Sequence, residues 1–389
     1  MTSEDLAHSS TERWLGRLIA HPTISADSNL PLMNELRTEL QRLGADCTLF
    51  PDTSGQKMAI LARIGPDLQG GIMLSGHVDV VPVTGQTWTV PPFEMTRNGT
   101  RLYGRGTTDM KGFVAAMLAL AQRAPTLSRP LWLALSYDEE VGCLGVRPML
   151  AHLVARNIRP DLVMVGEPTS MRLGLGHKGK LAFTVTATGV ARHSAEAPLA
   201  LNALHLAADF MAEARKIQED IARDGPHEDG YSVPHATVHV GRLTGGTVVN
   251  LVPDRAELLM ELRLLAKDDA TALTQRLRDA ATRILAPLRP RFPEADLEIE
   301  RTGAYPGLST GLSPSVDHFR ACLPPGTDCC KLSYGTEGGL FAQSLGVPVV
   351  ICGPGDMAQG HRPDEFIDCH QLALCDRVLD AALAKFCLS

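Results

Sequence analysis

The chain has 389 residues, 44% hydrophobic and 21% charged, which is the composition of a folded globular protein and excludes a disordered or fibrous one. Its 37 Lys and Arg against 44 Asp and Glu leave a net charge of −7, a balance that repels phosphate backbones and anionic membranes, so nucleic acid is not an expected partner. The longest apolar runs, such as Phe113 to Ala121, fall short of the ~18 residues that span a bilayer, so no membrane partner is expected either.

The N-terminus, MTSEDLAHSSTERWLGRLIAHPT, has no basic stretch ahead of an apolar core and predicts a helix around Trp14, Leu15 and Leu18 in a cytoplasmic protein. Beyond it, apolar or β-branched runs at Met58 to Ile64, Gly71 to Ser75, Leu131 to Ser136 and Leu162 to Val165 predict strands. Helical periodicity lies between them at Pro31 to Leu43, Met110 to Gln122 and Gly145 to Ala155. That alternation implies an α/β domain with a largely buried sheet. After Glu167 the pattern changes. Lys180 to Val190 alternates with period two, Leu199 to Arg223 is helical, Ala236 to Leu243 and Ala256 to Leu264 alternate, Ala270 to Leu285 is helical, and a last strand lies around Asp296 to Glu300. Strand, helix, strand, strand, helix, strand is the ferredoxin-like order and predicts an inserted α+β domain over 180–301. The α/β pattern returns at Cys330 to Ser333, Val347 to Cys352 and a terminal helix from His370 to Phe386. The first domain is therefore expected to be discontinuous, made of 1–179 and 302–389. Nine cysteines without CxxC spacing read as small buried hydrophobes in a reducing compartment.

Polar groups gather where the predicted strands end. Ser75 runs into Gly76-His77-Val78-Asp79, and residues two apart in extended chain point the same way, so Asp79 can orient a metal-bound His77. Alone, this spacing is weak and better fits an ordinary hydrogen-bonded histidine. The loop Tyr103-Gly104-Arg105-Gly106-Thr107-Thr108-Asp109-Met110-Lys111-Gly112 sets Asp109 at a helix start, where it could also be a simple cap. It lacks the GxxxxGK[ST] and strand-linked GxGxxG patterns, which argues against a nucleotide site. Asp138, Glu139 and Glu140 follow one strand and Glu167 another, and charges are rarely held there unless paired or bound to metal. Three strands thus end in acids or imidazole, where open α/β sheets place ligands. Downstream, Gly360-His361-Arg362-Pro363-Asp364-Glu365 adds a histidine. Two histidines with several carboxylates suit zinc, cobalt or manganese without any cysteine.

These motifs, SGHVDVVP, LYGRGTTDMKGF, DEE after a strand, GEPT and GHRPDEF, resemble in order those of the dinuclear zinc amidohydrolases and peptidases. That family includes acetylornithine deacetylase, succinyl-diaminopimelate desuccinylase, aminoacylase and glutamate carboxypeptidases. GEPTS, His177-Lys178-Gly179 and Tyr334 to Phe341 (YGTEGGLF) are most similar to the deacetylase branch. The resemblance implies a zinc-aminopeptidase-like catalytic domain with an inserted ferredoxin-like domain that forms a homodimer. It implies two divalent ions per chain, zinc first and cobalt as an alternative. His77 and Glu167 would hold one ion, Glu140 and His361 the other, and Asp109 would bridge them. Glu139 is then the general base and Asp79 the partner of His77. His193 would reach the scissile carbonyl from the partner subunit, and Asn250 and Arg263 would bind the substrate's carboxylate and neighbouring polar groups. Arg192 departs from the glycine usual before that histidine.

The implied reaction is metal-assisted amide hydrolysis. Hydroxide bridging two cations attacks the amide carbon, and Glu139 carries the proton from water to the departing amine. One cation and His193 would stabilise the oxyanion, and Arg263 offers a fork for a carboxylate. The expected substrate is a small N-acyl amino acid, N2-acetyl-L-ornithine first, in arginine biosynthesis. The alternatives are an N-succinyl or other N-acyl amino acid or a dipeptide. Glu337, Asp356, Asp364 and Glu365, against Arg362 alone, give an acidic excess that favours a cationic side chain, with Glu337 and Asp364 as candidates to face its ammonium.

Overall fold

The computed structural model describes residues 9–388, which form two compact units. Of the described residues, one comprises those up to Gly176, Ser309–Lys331 and those from Thr336 onward, and the other His177–Leu308 with Leu332–Gly335.

In the first unit, the hydrogen-bonded strand order is Asp46–Pro51, Met58–Ile64, Leu131–Ser136, Ile72–His77, Leu162–Val165, Val349–Ile351 and Leu173–His177. Ile72–His77 is central and runs parallel to Leu131–Ser136 on one side and Leu162–Val165 on the other. All three are buried along their whole length, as expected for a sheet covered on both faces. Helix Lys111–Arg123 is buried from Lys111 to Ala121 and packs against Ser10–Ile19 and Cys369–Cys387. Each large apolar side chain removed from water here contributes ~1.5–3 kcal/mol. Ser10–Ile19 starts with a capping box in which Ser9 and Glu12 satisfy each other's backbone N–H, the S-x-x-E pattern written in the sequence. Gly166 lets the end of Leu162–Val165 approach that packed helix, because a Cβ there would run into the ring of Phe113.

The second unit orders its strands Thr237–Gly245, Arg255–Leu264, Gly179–Thr188 and Asp296–Tyr305, every neighbour antiparallel. Burial alternates residue by residue along Gly179–Thr188 and Arg255–Leu264, so one face makes a core with helices Ala203–Asp224 and Ala270–Leu285. With its βαββαβ chain order this is a ferredoxin-like sheet, and the fold is α/β with an inserted α+β unit. Its edge strand Thr237–Gly245 is largely exposed. Among the described residues no helix is long and apolar enough to cross a membrane, and all nine cysteines are free thiols.

Candidate metal centre

The parallel register fixes where the polar groups emerge. His77 lies opposite Ser136 and Ser75 opposite Val165, so His77, the turn 137–140 and Glu167 all leave the sheet at the carboxyl ends of adjacent strands. Asp109 comes from the loop ahead of helix Lys111–Arg123. It is not that helix's cap, a position held by Met110 without a side-chain hydrogen bond. His361 comes from the 353–365 loop, with a backbone φ of 61° in the left-handed region that non-glycine residues rarely adopt.

These five residues converge as two trios sharing one carboxylate. His77, Asp109 and Glu167 form a buried group, and Asp109, Glu140 and His361 form a second that opens to solvent. His77 Nε2 lies 3.2 Å from Asp109 Oδ1 and 3.8 Å from Glu167 Oε1. His361 Nε2 lies 3.1 Å from Asp109 Oδ2 and 3.1 Å from each oxygen of Glu140. Ligands ~2.1 Å from a tetrahedral zinc stand roughly 3.4 Å apart, so these spacings suit a cation within each trio. The donors are nitrogen and oxygen only, which suits a borderline divalent ion.

The electrostatics also fit a cation. Burial, reinforced by neighbouring carboxylates, raises Glu139 and Glu167 well above the usual range and raises Glu140 as well. Asp109 is held below that range, because the two imidazoles outweigh its burial. His361 is raised to about 10 by its contacts with Asp109 and Glu140. Buried carboxylates held this close together repel one another, and a pair of divalent ions would offset that repulsion.

Asp79 has more partners than the histidine predicted for it. The acceptor nearest His77 Nδ1 is the backbone carbonyl of Asp79 at 2.9 Å, while Asp79 Oδ1 is at 3.4 Å. The Asp79 carboxylate also accepts from Ser25 Oγ at 2.8 Å and from the backbone N–H groups of Glu139 and Glu140 at 3.2 and 3.4 Å. Glu139 additionally receives the buried Cys143 thiol, 3.4 Å from Oε1. Asp138 is drawn away by Lys57 at 2.7 Å.

Other acids are committed inside the fold. Glu337 is 1% exposed and accepts from Ser75 Oγ at 3.1 Å, and burial pushes its carboxyl up to about 7. Asp364 accepts from the backbone N–H and hydroxyl of Thr89 at 2.8 and 3.0 Å. Glu365 is buried against Arg105. The pairing of Glu365 with Arg105 removes one charge from the acidic excess counted from sequence, and the bonds from Thr89 fix the direction of Asp364. Sequence reasoning missed the roles of Ser25, Cys143 and Arg105, although an arginine inside a glycine-rich loop is a signal that its charge needs a fixed partner.

The remaining candidates lie in the second unit. His193, exposed, caps the 3₁₀ segment Ser194–Leu199 by accepting from Ala195 N–H at 3.2 Å and bridges to Leu251, while Ser194 N–H donates to the Asn250 carbonyl. Arg192 turns back to donate to the Leu199 carbonyl and pairs with Glu196. His193 and Asn250 thus share one loop cluster following Gly245, which lies opposite Ala256. Arg263 stands near the other end of the Arg255–Leu264 strand, seven residues on at ~3.3 Å per residue. It is half-buried, donates to Tyr305 Oη at 3.0 Å, and pairs with Glu261 at 2.9 Å.

A sequence profile described as peptidase family M20/M25/M40 matches residues 73–385. The chain is 31% identical over 384 residues to a protein named acetylornithine deacetylase from Photorhabdus laumondii, covering 96% of each. In fold it is similar to an M20 family metallo-carboxypeptidase from Sulfolobus solfataricus, with a TM-score of 0.77, 20% identity, and coverage of 97% of this chain and 99% of that one. It is also similar to a Bacillus subtilis protein described as a dinuclear metal binding peptidase of the M20 family, with a TM-score of 0.63, 17% identity and 96% coverage of each. From the profile spanning most of its length and the near-complete alignment with that relative, the chain belongs to peptidase family M20/M25/M40 and is a metal-dependent amidohydrolase.

Proposed function

We propose that the protein is a cytoplasmic acetylornithine deacetylase of arginine biosynthesis, hydrolysing N2-acetyl-L-ornithine to acetate and L-ornithine. The observation that carries the hydrolytic reading is the pair of histidine–carboxylate trios joined through Asp109. The substrate rests on the name of the similar Photorhabdus protein.

His77, Asp109 and Glu167 would hold one divalent ion and Asp109, Glu140 and His361 the other, zinc foremost and cobalt as a substitute. When bound, the two ions supply Lewis acidity toward water and the amide carbonyl. Glu139 takes the proton of the attacking water and delivers it to the leaving amine. Its place in the same turn as the ligand Glu140, with its backbone N–H held by Asp79, suits a group that works beside the ions. Asp79 fixes the ring of His77 and the backbone of the Glu139–Glu140 turn, so ligand and base keep their spacing.

The separation of His193 and Asn250 from Arg263 along the inserted sheet supports a divided substrate site. Arg263 would bind the substrate's carboxylate in its own chain, exchanging its pairing with Glu261 for it. His193 and Asn250 would serve the partner's site in a homodimer formed through the inserted unit. The discriminating experiment is a panel of N2-acetyl-L-ornithine, N-succinyl-diaminopimelate and N-acetyl-methionine assayed with the zinc- or cobalt-loaded enzyme. The highest kcat/KM is expected for acetylornithine, and a preference for either other compound would replace the substrate while leaving the metal chemistry.

A further inference from the structure

Outside the two trios, Glu365 is a heavily engaged buried carboxylate, 1% exposed and four residues beyond His361. Its Oε1 accepts the backbone N–H groups of Thr108 and Asp109 at 2.9 and 3.1 Å, and its Oε2 accepts that of Gly106 at 3.0 Å. The Arg105 guanidinium, itself fully buried, donates to Oε2 at 2.6 Å. Arg105 also donates to the Arg362 carbonyl at 3.3 Å and to Gln86 Oε1 at 2.6 Å, while Gln86 Nε2 donates to the His361 carbonyl at 2.9 Å. One side chain therefore closes the 105–109 loop around itself, and its arginine partner ties that loop to the carbonyls of Arg362 and, through Gln86, of His361.

We infer that Glu365 is a positioning residue for the dinuclear centre: it fixes the backbone of Asp109 and, with Arg105, the loop of His361, and so sets the spacing of the two metal positions. This rests on the reading above in which Asp109 is shared by two ions. Four donors converge on Glu365, three of them backbone groups of the loop that delivers Asp109. A neutral amide in its place turns an NH2 group toward either Gly106 and Arg105 or Thr108 and Asp109, so one donor pair loses its acceptor. The 105–109 loop must then shift, and Asp109 with it. Because Asp109 belongs to both trios, the loss reaches both positions, unlike the loss of Glu167 or Glu140, which belong to one each.

The test is cobalt titration of the full-length protein, following the visible absorption of the bound ion and the number of ions per chain. Wild type is measured first, and two ions per chain are the check on the shared-Asp109 reading itself. Glu365→Gln is then expected to weaken both binding events by ~10–100-fold, the usual cost of losing a group that orients ligands, and to alter the cobalt spectrum. Because an uncompensated buried Arg105 is strongly destabilising, the double variant Arg105→Gln, Glu365→Gln removes that charge and is expected to fold with the same weakened binding. Folded variants that bind two cobalt ions with wild-type affinity and spectrum would overturn the inference. So would weakening of one position only, or loss of fold in both variants, which would make Glu365 a residue of the scaffold alone. If wild type itself fails to bind two ions, the failure belongs to the proposed metal centre.

Discussion

The carboxylate of Asp79 accepts a hydrogen bond from the backbone N–H of Glu139, 3.2 Å away. The same carboxylate lies 3.4 Å from His77 Nδ1, so a single side chain spans the two adjacent strand ends that supply a proposed ligand and the proposed base. Asp79→Ala should therefore disturb both. We expect kcat to fall by ~10–100-fold with KM little changed, together with weaker metal retention on dialysis. Wild-type kcat and metal retention in a folded variant would remove Asp79 from the site.

Glu139 and Glu140 are neighbours with different surroundings: Glu140 contacts His361, and Glu139 receives the thiol of Cys143. Glu139→Ala should keep its metal while turnover falls by at least ~100-fold. Glu140→Ala should lose metal from the His361 position. Metal analysis beside single-turnover kinetics distinguishes the two, and reversed phenotypes would exchange their roles.

Asp109→Asn should lose metal at both positions, whereas Glu167→Ala should spare the His361 trio. The difference follows from Asp109 lying 3.2 Å from one imidazole and 3.1 Å from the other. Counting ions per chain by elemental analysis checks it, and two ions retained in Asp109→Asn would dismiss the shared carboxylate.

A divided site predicts complementation. In a homodimer with His193 acting in trans, mixing His193→Ala with Glu139→Ala chains should restore activity toward about a quarter of wild type, because each mixed dimer keeps one intact site. Mixtures as inactive as either parent, or a monomer in sedimentation that is fully active, would refute the arrangement.

Much of the fold was legible because the buried strands Met58–Ile64, Leu131–Ser136 and Leu162–Val165 are mostly apolar, and Gly179–Thr188 and Arg255–Leu264 of the inserted sheet alternate cleanly. Other elements carried no such signal. Asp46–Pro51 is an edge strand ending in proline, and its partner Met58–Ile64 fixes it by pairing rather than by pattern. Asp296–Tyr305 runs five residues beyond the segment predicted to end at Glu300, because the ladder with Gly179–Thr188 carries it on through positions that are not buried. The helix placed from Leu199 starts at Ala203, after Pro198 and the Asn202 cap. In the site, the strand-end position of His77, Glu140 and Glu167 was readable from composition at strand ends. That Asp138 belongs to Lys57, and Glu365 to Arg105 and three backbone N–H groups, was not, because those pairings are made across more than 80 residues of chain by tertiary packing.

The most direct measurement is a titration of chelator-stripped protein with cobalt or zinc, following ions bound per chain and acetate released from N2-acetyl-L-ornithine in the same samples. We expect no turnover in the stripped protein and binding that saturates at two ions per chain, with hydrolysis rising as the ions bind. Undiminished hydrolysis by metal-free protein, or binding that saturates below two ions per chain, would contradict a dinuclear centre built on Asp109.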